Sequence, residues 1–362
     1  MTRFVLVAGC VVLAAVIAAI LIAADEQDPD RGSVPAPGEL AASVLAADSG
    51  GVVVSDPKRD EIMGIRYGGR VVWRDRAAFA REPTVVCAGS CPDAVLSGSL
   101  EATNRPELPD PPIVVHRGSG ATQRKTSALK ERVLWSGPNG ASVRLIGDGD
   151  QARLALGGRE RIDLGRQVIT NFEVSANGRR ALAVSVLAAG GSVRRWFRRA
   201  GDGWALLGGP TRSDALDGCV STDGRRALLF GGDVALTPAG SGREEPVRGL
   251  TAEERANAGA CALSPAGQAI AVLREHAGRR ETLIVLLDRA GAARERRRVA
   301  GFTPIAVGER SGRLAYISRG ALHVLAPGGP DRAILRGVED FEAIAPNRLA
   351  VVGRAGVRRV DF

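Results

Sequence analysis

The chain has few aromatic residues, few histidines and almost no lysine. Phenylalanine, tyrosine and tryptophan together make up 4% of its 362 residues, there are 3 histidines, and of 49 basic side chains only Lys58, Lys125 and Lys130 are lysine. Single-strand nucleic-acid binders stack bases on aromatic rings, so the shortage of rings argues against such a partner. Histidine is the usual general base and a common metal ligand, and His116, His276 and His323 stand far apart in the sequence. No Gly-x-Ser-x-Gly elbow, His-Glu-x-x-His pair or phosphate-cradling glycine loop is present, so no catalytic residue, cofactor or metal site is assigned. Asp148-Gly149-Asp150 starts like a calcium loop but runs on into Gln151-Ala152, without further oxygen ligands, and reads as a hairpin turn. Long blocks of one charge are also missing. The formal charge of +9 is spread along the chain, which fits at most a mild attraction to anionic wall polymers or lipid headgroups.

Only one long hydrophobic run occurs, residues 4–24. At about 1.5 Å per residue its roughly 21 residues match the hydrocarbon thickness of a bilayer. Arg3 precedes the run, while Asp25, Glu26, Asp28 and Asp30 follow it, so the positive-inside rule keeps the amino terminus cytoplasmic and sends the remainder across. The expectation is a single-pass signal-anchor in the cell membrane. A cleaved signal peptide is the rival reading, although the run is long for one and Ile22-Ala23-Ala24 is a poor cleavage site. Residues 25–44, with prolines, glycines and many charges at their start, read as a linker. Residues 45–362 then form the extracytoplasmic domain.

A repeat organises that domain. Val174-Ser175-Ala176-Asn177-Gly178-Arg179-Arg180-Ala181-Leu182-Ala183-Val184 returns as Val220-Ser221-Thr222-Asp223-Gly224-Arg225-Arg226-Ala227-Leu228-Leu229-Phe230, and again around Ser264-Pro265-Ala266-Gly267 and Ser311-Gly312. Each copy reads as a strand, a tight polar turn and a second strand, with glycine supplying a positive φ. The glycines at 178, 224, 267 and 312 recur at about 45 residues, the length of a four-stranded propeller blade. Ser221-Thr222-Asp223-Gly224 and Ser264-Pro265-Ala266-Gly267 resemble the WD-like turns of TolB-type β-propellers over residues 170–355. The resemblance implies a propeller and no particular activity, and the chain has no room for the separate domain that TolB carries ahead of its propeller.

The expected fold is therefore all-β, a propeller of about seven four-stranded blades, with six or eight also fitting, preceded by one transmembrane helix. The carboxyl end has room for three strands, Ala343-Ile344, Leu349-Ala350-Val351-Val352 and residues 357–362. Val52-Val53-Val54 is the expected donor of a fourth, because closing the ring removes an exposed sheet edge.

Four cysteines fall outside the membrane run, in a compartment that permits disulfides. Cys87 and Cys91 are placed to close a small loop. A metal site would need further ligands, the nearest histidine being His116, and a redox motif would have two intervening residues where this has three. Cys219 and Cys261 lie on corresponding inner strands, but counted back from Gly224 and Gly267 they are offset by one, which on strict alternation weighs against a bond.

Propellers bind ligands at the channel mouth. The repeat register puts Asn171, Asp214, Asp217, Asn257 and Asp340 in the loops there, with Glu173 and Glu342 on inner strands, a set suited to a cation, a sugar or a basic peptide, or to a hydrated channel without a ligand. A second candidate surface is the hairpin of Arg194, Arg195, Trp196, Phe197, Arg198 and Arg199, since Arg and Trp are favoured in binding hot spots; the alternative is that its aromatics pack between blades while its arginines are solvated. The expected function is a membrane-anchored extracytoplasmic module that binds an envelope protein or a cell-wall ligand. The alternative is a propeller lyase or hydrolase with its site at the channel mouth.

Overall fold

The structure, a computed structural model, describes residues 43–76, 83–97, 113–125, 131–137, 141–147, 149–157, 160–187, 189–276, 279–354 and 356–362. The apolar run 4–24, nearly all of the linker 25–44, the proline-rich stretch 106–112 and Asp148 lie outside them. Among the described residues no helix is long and apolar enough to cross a membrane.

Eight antiparallel sheets follow one another along the chain. Their first strands are Ser43–Ala47, Thr84–Cys87, Glu131–Ser136, Gln167–Val174, Asp217–Val220, Ala258–Leu263, Ile305–Val307 and Val338–Ala345. These strands line the centre, and most neighbouring ones touch, including the first and the last. Each sheet then steps outward strand by strand, which makes it a propeller blade. The blades number eight, not seven. The well-formed repeats used to set the period include blade 4, which carries a fifth strand, Thr211–Ser213. Elsewhere the first strands begin only 36 residues apart, at 131 and 167, or 33 apart, at 305 and 338.

The hydrophobic core is divided among the eight spaces between blades. Val52 and Val54 pack with Ala350, Val352 and Val357 of blade 8, while Val53, between them in sequence, packs with Cys91, Ala94 and Leu96 of blade 2. Alternate residues of one strand thus face different neighbours. Because both faces of a blade are covered, its second strand is apolar at consecutive positions, as in Arg180–Leu187, Arg226–Phe230 and Arg348–Gly353.

This packing corrects the expected closure. Val52-Val53-Val54 belongs to the second strand of blade 1, Gly51–Asp56, and pairs with that blade's first and third strands. Blade 8 has three strands, and among the described residues none pairs with the outer edge of Gly356–Asp361. The ring closes instead through side chains between blades 8 and 1 and through the Val44 amide, which donates to Asp340 Oδ2 at 2.8 Å.

The repeated serine and glycine join each blade to the next. Ser175 Oγ accepts from the Arg180 amide at 3.1 Å, and Ser221 Oγ from the Arg226 amide at 3.0 Å, which holds each turn shut. Gly178 and Gly224 have φ of 66° and 72°, as the turn requires. Gly267 differs: no positive φ is needed there, but a Cβ would lie 3.2 Å from the backbone of Gly312 in the next blade's turn. The turns are also linked by backbone bonds, Asn177 N to Thr222 O at 3.2 Å and Thr222 N to Leu263 O at 3.1 Å.

Both disulfides form, Cys87 to Cys91 and Cys219 to Cys261. The second overturns the alternation argument. Cys219 packs with Leu228 on the face of blade 5 that meets blade 6, and Cys261 packs against the same cluster from blade 6. Facing surfaces of adjacent blades are opposite faces of equivalent strands, so an offset of one residue is what brings the two sulfurs together.

Candidate functional site: the acidic wall of the channel

The inner strands of blades 4, 5 and 8 read QVITNFEV, DGCV and VEDFEAIA. They carry Asn171, Glu173, Asp217, Asp340 and Glu342 and no basic residue. On all eight inner strands the only basic side chain is Arg132 of blade 3, which is buried.

Each inner strand is a sheet edge whose backbone groups need partners from the next blade. Blade 4 supplies several to blade 5. Asn171 Nδ2 donates to Asp217 Oδ1 and, at 2.5 Å, to the Gly218 carbonyl. Glu173 Oε1 accepts from the Val220 amide at 3.1 Å, and Thr170 Oγ1 donates to the Leu216 carbonyl at 2.7 Å. An irregularity between Ile169 and Asn171 lets Thr170 and Asn171 both reach blade 5; nothing in the sequence marks it, so Thr170 is not found from sequence. Asp340 does the same work between blades 8 and 1, accepting from Val44. Glu342 has no hydrogen-bond partner among the described residues.

Enclosure by the inner strands shifts these acids in one direction. Desolvation pushes Glu173 up to about 8, with Asp217 and Glu342 adding repulsion and the Val220 amide opposing the rise. Glu342 is pushed up to about 7 by desolvation and by Asp340. Asp340 rises to about 6 through desolvation, although the amides of Val44 and Phe341 oppose it. Asp217 is also raised by desolvation, against the Gly218 amide and Asn171. Glu342 is nevertheless reachable by water, so the wall encloses a narrow wet passage, where part of each charge remains screened. Blades 4 and 8 lie across the ring from each other, and Glu173 still feels Glu342. The passage therefore concentrates carboxyl groups whose charged forms repel one another and would be favoured by an entering cation.

Five of the seven expected mouth residues lie on inner strands; Asn171, Asp217 and Asp340, expected in loops, are within the strands themselves, where they can bond the edge of the next blade. The other two have different surroundings. Asn257 ends the short helix Ala252–Ala256, where its side chain donates to the Glu253 carbonyl at 3.0 Å. Asp214 is exposed, in the connection before blade 5.

The arginine-rich segment is not an exposed hairpin. It forms much of Ser192–Ala200, the third strand of blade 4, and Arg194, Arg195 and Trp196 are 1%, 6% and 2% exposed. Trp196 fills the space between blades 4 and 5. Arg194 pairs with Glu244 of blade 5 and donates to the Ser241 carbonyl at 3.2 Å. Arg195 has neutral partners, Ser185 Oγ at 3.0 Å and Gln167 Oε1 at 2.9 Å, and burial lowers its pKa. Arg199 stacks on Trp135, with its guanidinium carbon 4.6 Å from the ring centre. That leaves Arg198 exposed.

His116 and His323 lie on the third strands of blades 2 and 7, away from the channel. His116 is buried against Trp73, with Nε2 2.8 Å from Asp75 and Nδ1 3.0 Å from Thr122. Asp48 lies close to the sulfurs of Cys87 and Cys91, but disulfide-bonded sulfurs are not metal ligands. Asp150 sits in a 3₁₀ turn and pairs with Arg166 at 2.6 Å.

No protein-family model and no curated protein sequence matches the chain. Solved structures do. Sqt1 from Saccharomyces cerevisiae is similar at 11% identity and a TM-score of 0.55, covering 90% of this chain and 97% of that one. Sqt1 from Chaetomium thermophilum, bound to the N-terminus of the ribosomal protein L10, is similar at 13% identity and a TM-score of 0.52, covering 90% and 98%. At these identities the likeness concerns the fold alone, a β-propeller.

Proposed function

We propose that the chain is a membrane-anchored, extracytoplasmic propeller of the cell envelope that binds another protein, holding a basic segment of it against the acidic inner wall. The observation that carries this reading is the set of four carboxylates, Glu173, Asp217, Asp340 and Glu342, on three inner strands without a basic residue. A lysine or arginine side chain entering the passage would relieve the repulsion between Glu173 and Glu342 and would supply a partner for Glu342. Electrostatic complementarity of this kind selects partners and speeds encounter. Sqt1 with the L10 N-terminus is an example of this architecture holding a segment of another protein. The apolar run 4–24 and two disulfides in the domain support export, since disulfides persist in oxidising compartments.

Crosslinking in cells tests the reading. A photo-crosslinking residue at Ala343, which is exposed on the inner strand of blade 8, should capture an envelope protein through a segment rich in lysine or arginine. Glu342→Lys should abolish that capture while leaving the fold intact. If the crosslinks survive Glu342→Lys unchanged, the acidic wall does not receive the partner. A carboxyl-terminal tag on the full chain should be open to protease added outside the cell.

A further inference from the structure

We infer that a second site, separate from the channel acids, binds a multivalent phosphate in a cleft between blades 7 and 8. The cleft has a volume of about 400 Å³ and is lined by Arg319, Arg336 and Arg354, with Glu339 as its one carboxylate. Three alternate connections, every second one from blade 7 into blade 8, supply the arginines. Arg319 lies in the turn between Leu314–Ser318 and Ala321–Leu325, Arg336 ends Asp331–Arg336 just before Val338–Ala345, and Arg354 follows Arg348–Gly353. In the meander of a blade, turns after the second strand and links to the next blade lie at the same end, so the fold itself gathers the three guanidinium groups.

Two further observations bear on how these arginines are held. First, none of the three makes an ion pair or a side-chain hydrogen bond among the described residues, whereas Arg294, Arg296, Arg297 and Arg348 each hold a carboxylate within 2.8 Å. Second, Arg319 has φ 51° and is followed by Gly320 at φ 68°. A two-residue hairpin turn with both residues at positive φ favours asparagine, aspartate or glycine at its first position. A long side chain is strained there, and strain kept in place points to a use for the side chain. Gly337, at φ 71°, makes the link between the blades one residue long and so keeps Arg336 close to the other two.

The chemistry of the cleft selects the ligand. Guanidinium groups pair with phosphate oxygens through parallel N–H donors and stay charged at every physiological pH. Three of them against one carboxylate leave an excess of positive charge, which favours a diphosphate or phosphate monoester over a singly charged anion. Such a group arises on a soluble small molecule or on a lipid headgroup.

The test is calorimetric titration of the purified full chain with inorganic pyrophosphate at low salt, with chloride as the control anion. Binding should weaken at least tenfold for Arg336→Ala and for Arg354→Ala, and fall off steeply with ionic strength. Arg319→Asn separates binding from structure, because asparagine is at ease at this φ: the melting temperature should hold or rise while pyrophosphate affinity falls. Competition by phosphatidic acid vesicles would assign the site to a headgroup, and its absence to a soluble phosphate. The inference is overturned if wild type shows no millimolar or tighter binding of pyrophosphate, or if the triple substitution binds as wild type does. Since Glu342→Lys tests the channel and leaves this cleft untouched, either reading can fail alone.

Discussion

The Val44 amide and the Asp340 carboxylate, 296 positions apart, meet at 2.8 Å where the ring closes. Asp340 also accepts from the Phe341 amide at 2.8 Å, so a single side chain satisfies two backbone donors at the junction of blades 8 and 1. Asp340→Ala leaves both without that partner and should cost about 1–3 kcal/mol. Asp340→Asn, which keeps an acceptor, should cost less. Urea denaturation gives the stability, and hydrogen exchange at the Val44 amide gives the location. Unchanged exchange at Val44 in the alanine variant would show that the contact does not hold the ring.

The channel acids predict how stability depends on pH. Their pKa values are higher in the folded state than in the unfolded chain, where carboxylates titrate near 4. Between that point and the folded values, about 6 for Asp340, about 7 for Glu342 and about 8 for Glu173, the folded protein holds protons that the unfolded chain has released. Stability contributed by these groups is therefore present at low pH and declines as pH rises from about 4 to about 8. The melting temperature should be lower at pH 8 than at pH 5.5. Glu173→Gln keeps an acceptor for the Val220 amide without the charge, so it should flatten the profile and stabilise the protein at pH 8. A melting temperature that rises steadily across this window would contradict the enclosure of the acids.

How legible these features were depends on how local their chemistry is. Ser175, Ser221 and Ser264 each close a turn a few residues long, so the repeat and the propeller can be read from sequence. The three strands of blade 8 were legible from their short apolar runs between turn residues. Blade number was not, because the first strands begin anywhere from 33 to 50 residues apart, at 305 and 338 or at 167 and 217, while the legible repeats suggest about 45. Val52-Val53-Val54 announces a buried strand, but which neighbours cover it is set by the whole ring. Glu173 and Glu342 follow from repeat register, since position in the repeat fixes position on the inner strand, whereas Asp217 and Asp340, expected in loops, lie on the strands themselves because those strands start earlier than the apolar pattern indicates. Asn257 fell outside that logic because a helix stands in the connection before blade 6. Nothing near Arg194 indicates Glu244, which lies in the next blade.

The disulfide between Cys219 and Cys261 ties inner strands of adjacent blades across a separation of 42 residues. A loop of that length implies about 4 kcal/mol on the chain-entropy account, against about 2 kcal/mol for the short loop between Cys87 and Cys91. Replacing Cys219 and Cys261 together by alanine should therefore lower the urea midpoint more than replacing Cys87 and Cys91. Full reduction of the wild type should lower it at least as far as the first pair of substitutions. Equal effects of the two pairs would argue that strain or packing, rather than loop length, sets their contributions.

Burial of the arginine-rich strand sets a clear order for substitutions within one segment. Trp196→Ala opens a cavity between blades 4 and 5 and should cost about 3–5 kcal/mol. Arg195→Glu replaces a donor by a buried carboxylate facing Ser185 and Gln167, whose Oε1 is itself an acceptor, and an unpaired buried charge places it among the large destabilisations, about 3 kcal/mol or more. Arg198→Glu acts on an exposed side chain and should stay within about 0.5 kcal/mol. Urea midpoints of the three variants, compared with wild type, give the order directly. If Arg195→Glu proves as harmless as Arg198→Glu, Arg195 is solvated and the segment returns as a candidate partner surface; if it unfolds the blade, that surface is confined to Arg198 and the exposed part of Arg199.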